Sequence, residues 1–440
     1  MFIQQLPFDI LLDHVMPRLD AHSLAQLSGT CRLFYRLCND EIVWQHRVTA
    51  DFSLPMATDR LKNGWKRLYI QLDRAQTYTW GENSDKRLGF SDQDHADRDT
   101  STHTHRFMRQ ITTPRELRAL RGKGIVDIVA GGWSFHALDR RGRVWMWGWV
   151  STHLCHRRGL KSHQEPTHVQ FPDNVHIVYI ASGRSHAIAL DTAGRVWHWA
   201  NCWQPRQVHV TQATTSKFIQ ITAHWNSSAI LSATGELFLV PFPSTGTATT
   251  TTTVLNDPPV TYPSSPFVQI AGTEKYTIAL TRSGRVFKFW TERREAFVAA
   301  PENYTTELIH FAVPPHPQTL LSAQFRHFAI CSQGKVLIGK QDWDQHQVPR
   351  ILDASNHEIC KVTFGDYHFG ALTTQGRLLT WGRYSSGALG RGYDHSDINE
   401  REPQLVETLN SMFVFAVGFG GVHSGCLAIP RQSLLQHNHI

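Results

Sequence analysis

The amino-acid sequence predicts a mainly β protein: a seven-bladed β-propeller preceded by a small all-α domain and a linker helix. Three observations predict this fold. The 440 residues include 14 Trp and 30 Gly, which recur together at intervals of about 40–50 residues, as in a repeat of strands and turns. The first fifty residues lack that repeat and have helical spacing instead. A hydrophobic content of 41% against 18% charged residues is enough to bury large cores.

The N-terminal residues have the apolar spacing of short helices. Apolar residues follow one another mostly at intervals of three and four: Leu6, Ile10, Leu11, Val15, Leu19, Leu24, Leu27, Cys31, Phe34 and Leu37. Pro7 precedes the first run, Pro17 is expected to end or kink it, and Asp20 can cap the next helix. Three short helices make a poor independent core, so we expect their apolar surface to be buried against a partner.

A strand repeat begins near residue 128. Each copy has an apolar run, a bend, a second run that alternates by two, a tight turn and a third alternating run. Clear copies occupy 128–148, 180–200, 270–290 and 362–382, and weaker copies occupy 221–240 and 321–340. Each turn contains a glycine that can accept positive φ: Gly142, Gly194, Gly235, Gly284, Gly334 and Gly376. The repeated tryptophans are expected to pack the blades and not to form a ligand cage.

A fourth strand and the two chain ends complete the prediction of seven blades. The third run is followed by a Pro-x-x-apolar segment, typical of an edge strand that tolerates proline, as at 166–169, 205–208 and 403–406. Residues 77–90 match the second half of a repeat and residues 417–427 match the first half. We expect these halves to pair into one blade, which closes the ring and removes its open edges.

Two motifs follow third strands and suggest a family. They are Trp80-Gly81-Glu82-Asn83 with Leu88-Gly89, and Trp381-Gly382 with Leu389-Gly390. The pattern resembles the repeat of the regulator of chromosome condensation, and the resemblance covers about residues 77–430. The second motif has Ser385 or Ser386 where the family has Asn. Kelch and WD-type repeats fit less well, because Gly-Gly pairs are few and the third strand ends in Trp-Gly.

The N-terminal segment resembles the F-box in the order and spacing of about forty residues. Asp9 replaces the usual Glu, and Pro17 falls inside the first long helix. The resemblance implies docking on the Skp adaptor of a Skp–cullin–F-box ubiquitin ligase, and through it on the cullin and RING subunits. The adaptor-binding residues that it implies are Leu6, Pro7, Ile10, Leu11, Val15, Leu19, Leu27, Cys31, Phe34, Leu37 and Trp44. An F-box followed by this propeller resembles the fungal SCF-associated-factor type.

The helix expected over residues 59–73 resembles the one that usually follows an F-box. Its apolar face would be formed by Trp65, Leu68, Tyr69 and Leu72. The predicted domains are the F-box (1–50), the linker helix (51–76), the propeller (77–430) and a tail (431–440).

No catalytic or cofactor motif stands out. The sequence contains no G-x-G-x-x-G, G-x-x-x-x-G-K-[ST] or H-E-x-x-H pattern. Residues 183–187 weakly match a nucleophile elbow, but a strand-to-helix turn is not expected there. Four histidines share one repeat position, which suggests a metal cluster or a polar group that fixes a turn in each blade: His186, His327, His368 and His423. Because a ring keeps them apart, we predict the turn, and no metal, cofactor or catalytic residue.

The most basic insertion, residues 149–165, is the candidate substrate-contact loop. Its candidate residues are Trp149, His153, His156, Arg157, Arg158 and Lys161. Such a loop could hold an acidic or phosphorylated segment, or it could simply be solvated. The Thr-rich insertion 241–266 is expected to be flexible.

Charge and cysteine usage exclude several classes. Lys and Arg number 44 and Asp and Glu 37, and this net +7 is scattered without a basic tail, so no nucleic-acid partner is expected. No apolar run reaches the ~18 residues of a membrane span, so no membrane partner is expected. Seven Cys without C-x-x-C spacing disfavour a disulfide framework and indicate the cytoplasm and/or the nucleus.

The function expected from these resemblances is that of a non-catalytic adaptor. The chain would be the substrate-recognition subunit of a Skp–cullin–F-box ubiquitin ligase, with the propeller capturing a protein substrate for ubiquitination and proteasomal degradation. Two alternatives stay open: a guanine-nucleotide exchange factor for a Ran-like small GTPase, as the repeat's namesake is, and a ligase-independent scaffold. The sequence identifies neither the substrate nor the propeller face that binds it.

Overall fold

The structure of the protein is a computed structural model. It describes residues 6–52, 64–90, 109–148, 163–200, 204–212, 217–243, 252–262, 264–292, 294–352, 358–392 and 399–432.

The N-terminal segment folds into short helices. Helix α1 (Phe8–Ile10) continues through a π-helical turn (Leu11–Val15) and a 3-10 turn (Met16–Arg18) that contains the proline expected to end the run. The Asp20 carboxylate then accepts a 2.7 Å hydrogen bond from the backbone N–H of Ser23, which confirms the predicted cap. This hydrogen bond lowers the pKa of Asp20.

The remaining N-terminal helices are α2 (Ala21–Ser28), α3 (Arg32–Cys38), α4 (Glu41–Asp51) and α5 (Trp65–Asp73). The apolar spacing from residue 24 to 37 continues across two helices, because the chain breaks between α2 and α3. Both the N–H and the hydroxyl of Thr30 donate to the Leu27 carbonyl, and Cys31 is extended before α3 begins. The predicted apolar face of α5 is confirmed, since all four of its residues are buried: Trp65, Leu68, Tyr69 and Leu72.

Seven sheets form a ring of blades, numbered here in chain order with the split blade last. Blade 1 contains β3 (Ile125–Ala130), β4 (Ser134–Asp139), β5 (Val144–Gly148) and β6 (His163–His168). Blade 2 contains β7 (Ile177–Ser182), β8 (His186–Asp191), β9 (Val196–Ala200) and β10 (Arg206–Val210). Blade 3 contains β11 (Phe218–Ala223), β12 (Ser227–Ser232) and β13 (Leu237–Pro241). One further strand, β14 (Thr252–Leu255), follows blade 3.

Blades 4 to 6 complete the six continuous copies. Blade 4 contains β15 (Phe267–Gly272), β16 (Tyr276–Thr281), β17 (Val286–Trp290) and β18 (Thr305–Glu307). Blade 5 contains β19 (Leu320–Gln324), β20 (His327–Ser332), β21 (Lys335–Lys340) and β22 (Arg350–Leu352). Blade 6 contains β23 (Ile359–Phe364), β24 (His368–Thr373), β25 (Leu378–Arg383) and β26 (Asn399–Leu405). Helix α6 (Arg294–Ala299) follows β17. The 3-10 turns span Ser84–Lys86, Arg118–Leu120, Pro301–Tyr304, Ile309–Phe311, Ser385–Gly387 and Glu407–Leu409.

Blade 7 joins the two ends of the propeller. It contains β1 (Gln76–Glu82), β2 (Gln110–Glu116), β27 (Met412–Phe419) and β28 (His423–Pro430), in the spatial order β2-β1-β28-β27. β1 and β28 pair antiparallel from Gln76 opposite Ala428 to Gly81 opposite His423. The prediction that two half-repeats close the ring is therefore confirmed.

Blades 2 and 3 depart from the predicted four strands. The described part of blade 3 has three strands, and β14 instead pairs in parallel with β10, which gives blade 2 a fifth strand. The expectation that 241–266 is a flexible insertion is therefore wrong for residues 252–255. Val260 also exchanges two backbone hydrogen bonds with Leu237. β-branched Thr and Val side chains explain why this segment can form an edge strand.

The Asp-x-x-Gly turns of blades 1 and 2 are each held by one buried carboxylate. In blade 1 the Asp139 carboxylate accepts hydrogen bonds from the N–H of Arg141 and Arg143, from Arg143 Nε and from Trp145 Nε1, at 2.7–3.1 Å. Gly142 supplies the positive φ of 72°. The same contacts recur around Asp191 in blade 2. The repeat sequence D-x-x-G-R-V-W therefore encodes a complete hydrogen-bonded turn.

The N-terminal helices have a fixed seat on the propeller. Phe52, which follows α4, packs edge-on against Tyr69 and against Phe415 of β27, with ring centroids 5.4 Å and 6.4 Å apart. At the end of α5, Asp73 forms a 2.9 Å ion pair with Arg140 in the β4–β5 turn. One continuous hydrophobic core joins the helices to blades 1 and 7.

Candidate protein-interaction surfaces

The propeller has one face that the described helices do not cover. The helices contact the side where β4 turns into β5, at Arg140. The bends between the first and second strands lie at the opposite side. A six-residue strand such as β3 rises about 3.3 Å per residue, so the two sides are about 17–20 Å apart. We call the uncovered side the free face.

Histidines near the free face link neighbouring blades. His368 Nε2 donates to Ser424 Oγ at 2.8 Å, and Ser424 donates to the Ala388 carbonyl at 2.9 Å. His186 Nε2 donates to the Ser227 carbonyl of blade 3 at 3.0 Å. The predicted role within the turn of one blade is therefore wrong for these two, because the next blade supplies the hydrogen-bond partner.

These histidines are neutral structural groups. Burial lowers the pKa of His186 to about 4 and that of His368 to about 3. Within the described part of the chain, no group of three or more His, Cys, Asp or Glu is placed to hold a metal ion. The repeated tryptophans pack between blades as expected, since Trp80, Trp147 and Trp199 are at most 1% exposed.

An arginine–aromatic cluster lies at the bends of the free face. The Arg184 guanidinium is 4.6 Å from the Trp133 ring and 4.2 Å from the Trp225 ring, so it is stacked between two indoles from the neighbouring blades. Arg326 lies 5.3 Å from the ring of Tyr367, which is 41% exposed. Trp, Tyr and Arg are the residue types that dominate the energetics of protein interfaces.

Sequence reasoning missed this arginine–aromatic cluster. Its residues fall just before the repeated Ser, Tyr or His position, in bends that a propeller must expose. Large aromatic or guanidinium side chains in such bends are the sequence signal that could have indicated this surface. The pairing itself could not be read, since Trp133 and Trp225 belong to blades 1 and 3 and meet only across Arg184 of blade 2.

The helical domain divides the predicted adaptor-binding residues into two groups. Four of them, at most 4% exposed, lie in the domain's own core: Leu11, Phe34, Leu37 and Trp44. A side chain without exposed area offers no contact to a partner, so we assign these four to the fold of the domain. The other seven are exposed or half-buried: Leu6, Pro7, Ile10, Val15, Leu19, Leu27 and Cys31.

Three further exposed apolar side chains were not predicted. Phe8, Tyr35 and Ile42 are 50%, 61% and 45% exposed. A search for helical periodicity selects the buried face and passes over them. Together with Pro7 and Ile10 they place apolar surface on the outside of the helices, as is typical of an interaction site.

The predicted substrate-contact loop lies outside the described residues. This holds for Trp149, His153, His156, Arg157, Arg158 and Lys161. The last described residue before it, Gly148, pairs with Ser134 at the free face.

Family models match both parts of the chain. Residues 3–50 match the F-box-like model, and residues 75–138, 141–190 and 375–427 match the regulator of chromosome condensation (RCC1) repeat. The chain combines an F-box-like domain with RCC1 repeats. The F-box-like region coincides with the helical domain, and the RCC1 matches fall on blades 1, 2, 6 and 7.

Curated relatives resemble mainly the propeller. The human E3 ubiquitin-protein ligase HERC2 is 24% identical over 343 residues, which cover 73% of this chain but 6% of that ligase. The Arabidopsis thaliana ultraviolet-B receptor UVR8 is 20% identical over 362 residues, covering 76% of this chain and 78% of the receptor. This chain thus spans a small part of the length of HERC2 and most of the length of UVR8.

Solved structures support the same fold. Yeast RCC1 (Prp20), in its crystal structure with Kap60, superposes with a TM-score of 0.60 at 17% identity and covers 81% of this chain and 89% of its own. Human WBSCR16 gives a TM-score of 0.59 at 16% identity, with coverages of 81% and 99%. Among the described residues, no helix is both long enough and apolar enough to cross a membrane.

Proposed function

We propose that this chain is the substrate-recognition subunit of a Skp–cullin–F-box ubiquitin ligase. In this proposal the F-box-like domain binds the Skp adaptor, and the propeller captures a protein substrate at its free face. The chain would act in this complex as a non-catalytic adaptor. The observation that carries the proposal is the fixed position of the F-box-like domain on one side of the propeller, with the opposite side not covered by the described helices.

The exposed apolar residues of the helices support the adaptor half of the proposal. Pro7, Phe8 and Ile10 lie on the outside of a domain whose core is already filled by residues such as Leu37. Burying such side chains against a partner contributes about 1.5–3 kcal/mol for each one fully removed from water. We therefore narrow the proposed contact set to the seven exposed or half-buried residues of the prediction, with Phe8, Tyr35 and Ile42 added.

The contacts between the F-box-like domain and the propeller support the second part of the proposal, in which the propeller captures a substrate. Contacts such as Phe52 with Phe415 hold the F-box-like domain at one orientation on the ring. A substrate on the free face would then be held at a defined distance from the rest of the ligase. This raises the effective concentration of substrate near the conjugating enzyme, which is what a non-catalytic adaptor can contribute.

Recovery of a purified Skp adaptor on the immobilised full chain tests the proposal. The double variant Leu6→Ala, Pro7→Ala should weaken binding by about 2 kcal/mol or more, a loss of roughly thirtyfold. Tyr179→Ala is the matched control, because Tyr179 is 51% exposed but lies on blade 2. Undiminished recovery of the adaptor by the double variant contradicts the proposal. Recovery of cullin together with the adaptor separates a ligase subunit from a scaffold.

A further inference from the structure

In the regular blades, the tryptophan of one blade is sealed by the blade before it. Trp80 Nε1 donates to the Ala388 carbonyl at 2.8 Å, and a Cβ on Gly390 would lie 2.7 Å from the same indole. Gly89 likewise covers Trp147, since a Cβ there would lie 2.7 Å from its ring, but the Trp147 indole N–H has no hydrogen-bond partner among the described residues. The Leu-Gly pair of one blade thus packs over the tryptophan of the next blade, and we call this pair the lid.

Blade 5 lacks this lid. After β21 the chain continues as Gln341-Asp342-Trp343, without a Leu-Gly pair. Gly339, opposite Phe328, also occupies the strand position that holds a tryptophan in blade 6, where Trp381 is opposite Phe369. Trp381 therefore lacks the Leu-Gly cover that Trp80 receives, and neighbouring side chains leave it 2% exposed. Among the described residues, its indole N–H has no hydrogen-bond partner.

The missing lid leaves a pocket of about 270 Å³ between blades 5 and 6. We call it the blade-5/6 pocket. Its walls are mainly aromatic: Trp343, Phe364, Phe369 and Trp381. His327 also lines it and has a buried Nδ1 without a partner in the described structure. His327 directly follows Arg326 of the arginine–aromatic cluster, so the pocket lies at the free-face end of the strands.

Two cations stand at the pocket. Lys340 is exposed, and within the described residues it forms no ion pair with a carboxylate. Arg350 donates to the Arg401 carbonyl at 2.7 Å and pairs with Glu402 at 3.1 Å, on the outer edge of blade 6. The nearby Asp342 interacts with Lys288 and Tyr276 of blade 4 as well as with His327.

We propose that the blade-5/6 pocket binds a large apolar side chain of a protein segment, with a carboxylate next to it in that segment. The volume is below the roughly 300–1,000 Å³ of pockets for drug-sized ligands, which suits one side chain. The aromatic walls select a flat apolar group, and Lys340 supplies the charge complement for the carboxylate. The inference deepens the proposed function and rests on it, because it names the substrate feature that the free face recognises.

Fluorescence polarisation with the full chain tests this pocket. The probe is a fluorescein-labelled heptapeptide with a central tryptophan followed by two aspartates. Two comparison peptides replace the tryptophan by alanine or the aspartates by lysines. We expect saturable binding of the probe and at least roughly tenfold weaker binding of both comparison peptides.

Two variants and a matched control complete the test. Trp343→Ala removes one wall and Lys340→Glu reverses the rim charge, and each should weaken binding of the probe at least roughly tenfold. Lys335→Glu makes the same charge change on an exposed residue at the other end of β21, so it should leave binding unchanged. Thermal unfolding of each variant establishes that it is folded.

Absence of saturable binding by the unmodified chain up to about 1 mM peptide overturns the inference. Equal affinity of the unmodified chain and Lys340→Glu also overturns it. Neither result affects adaptor recovery, which depends on the F-box-like domain. Failure of the pocket and failure of the proposed function are therefore distinguishable.

Discussion

Blades 5 and 7 show what the same repeat does with and without its full sequence. In blade 7, Trp80 is completely buried, donates its indole hydrogen bond to the Ala388 carbonyl and is sealed by Gly390. In blade 5, Gly339 stands at the tryptophan position and the following loop lacks Leu-Gly. Blade 7 closes the ring, whereas blade 5 leaves an open pocket beside Trp381. In blade 5, the weak match to the repeat therefore coincides with the loss of packed side chains and the presence of a pocket.

The largest expected effect compares Trp80, which the Leu-Gly of blade 6 covers, with Trp381, which lines the blade-5/6 pocket. Trp80→Ala should lower the free energy of unfolding by about 3–5 kcal/mol, because it opens a cavity and leaves the Ala388 carbonyl without this donor. Trp381→Ala removes the same side chain beside a pocket that already exists, so its cost should be at least about 1 kcal/mol smaller. Urea unfolding of both variants measures the difference. Equal losses would mean that the blade-5/6 pocket does not weaken the packing of Trp381.

A smaller effect compares the turns of a regular and an irregular blade. Gly142 and Gly334 both have positive φ, 72° and 75°. A Cβ on Gly142 would lie 2.8 Å from backbone atoms of His176 and Ile177, whereas nothing lies within 4 Å of a Cβ on Gly334. Both Ala variants should cost about 1–2 kcal/mol of backbone strain, and Gly142→Ala should cost a further 1–3 kcal/mol or so of overpacking.

Chemical denaturation of the two glycine variants decides this comparison. A Gly334→Ala loss as large as that of Gly142→Ala would contradict the idea that the irregular turn is free of tertiary contacts.

The smallest expected effect is in the pH dependence. Burial lowers the pKa of His368 to about 3 and that of the half-buried His327 to about 4, both below the ordinary histidine value of 6.5. Below pH 6.5 the unfolded chain therefore binds protons that the folded chain does not. Stability from these groups is full above that pH and is lost as pH falls toward the folded pKa, at up to about 1.4 kcal/mol per pH unit for each histidine.

Replacing each histidine in turn sharpens the comparison of blades 5 and 6. The slope of the unfolding free energy against pH reports how many more protons the unfolded chain binds than the folded chain. Between pH 6 and 4, His368→Gln should lower this number by nearly one, and His327→Gln should lower it by less. Urea unfolding at several pH values gives the two slopes. A larger reduction for His327→Gln would reverse the ranking of burial at this repeat position.

Much of the fold follows from local pattern, while the surfaces follow from departures from it. Period-two alternation and the turn glycines predict the blades, and the half-repeats at the two ends predict closure through β1 and β28. Helical spacing finds core residues such as Leu37, and the adaptor-binding set that the F-box resemblance implies includes four such buried residues. The parallel pairing of β14 and the stacking of Arg184 between Trp133 and Trp225 depend on contacts between distant blades, which periodicity does not encode.

The closure of the ring by blade 7 has a consequence for biosynthesis. The F-box-like domain is synthesised first, but its seat includes Phe415, and β1 gains its inner partner only when β28 has been made. A ribosome that stalls before residue 412 releases a chain whose ring is open and whose helices can contact blade 1 but not Phe415. Such chains expose strand edges and apolar surface, the features that chaperones and proteases recognise. The order of the strands thus makes the full set of contacts of the F-box-like domain depend on the synthesis of β27.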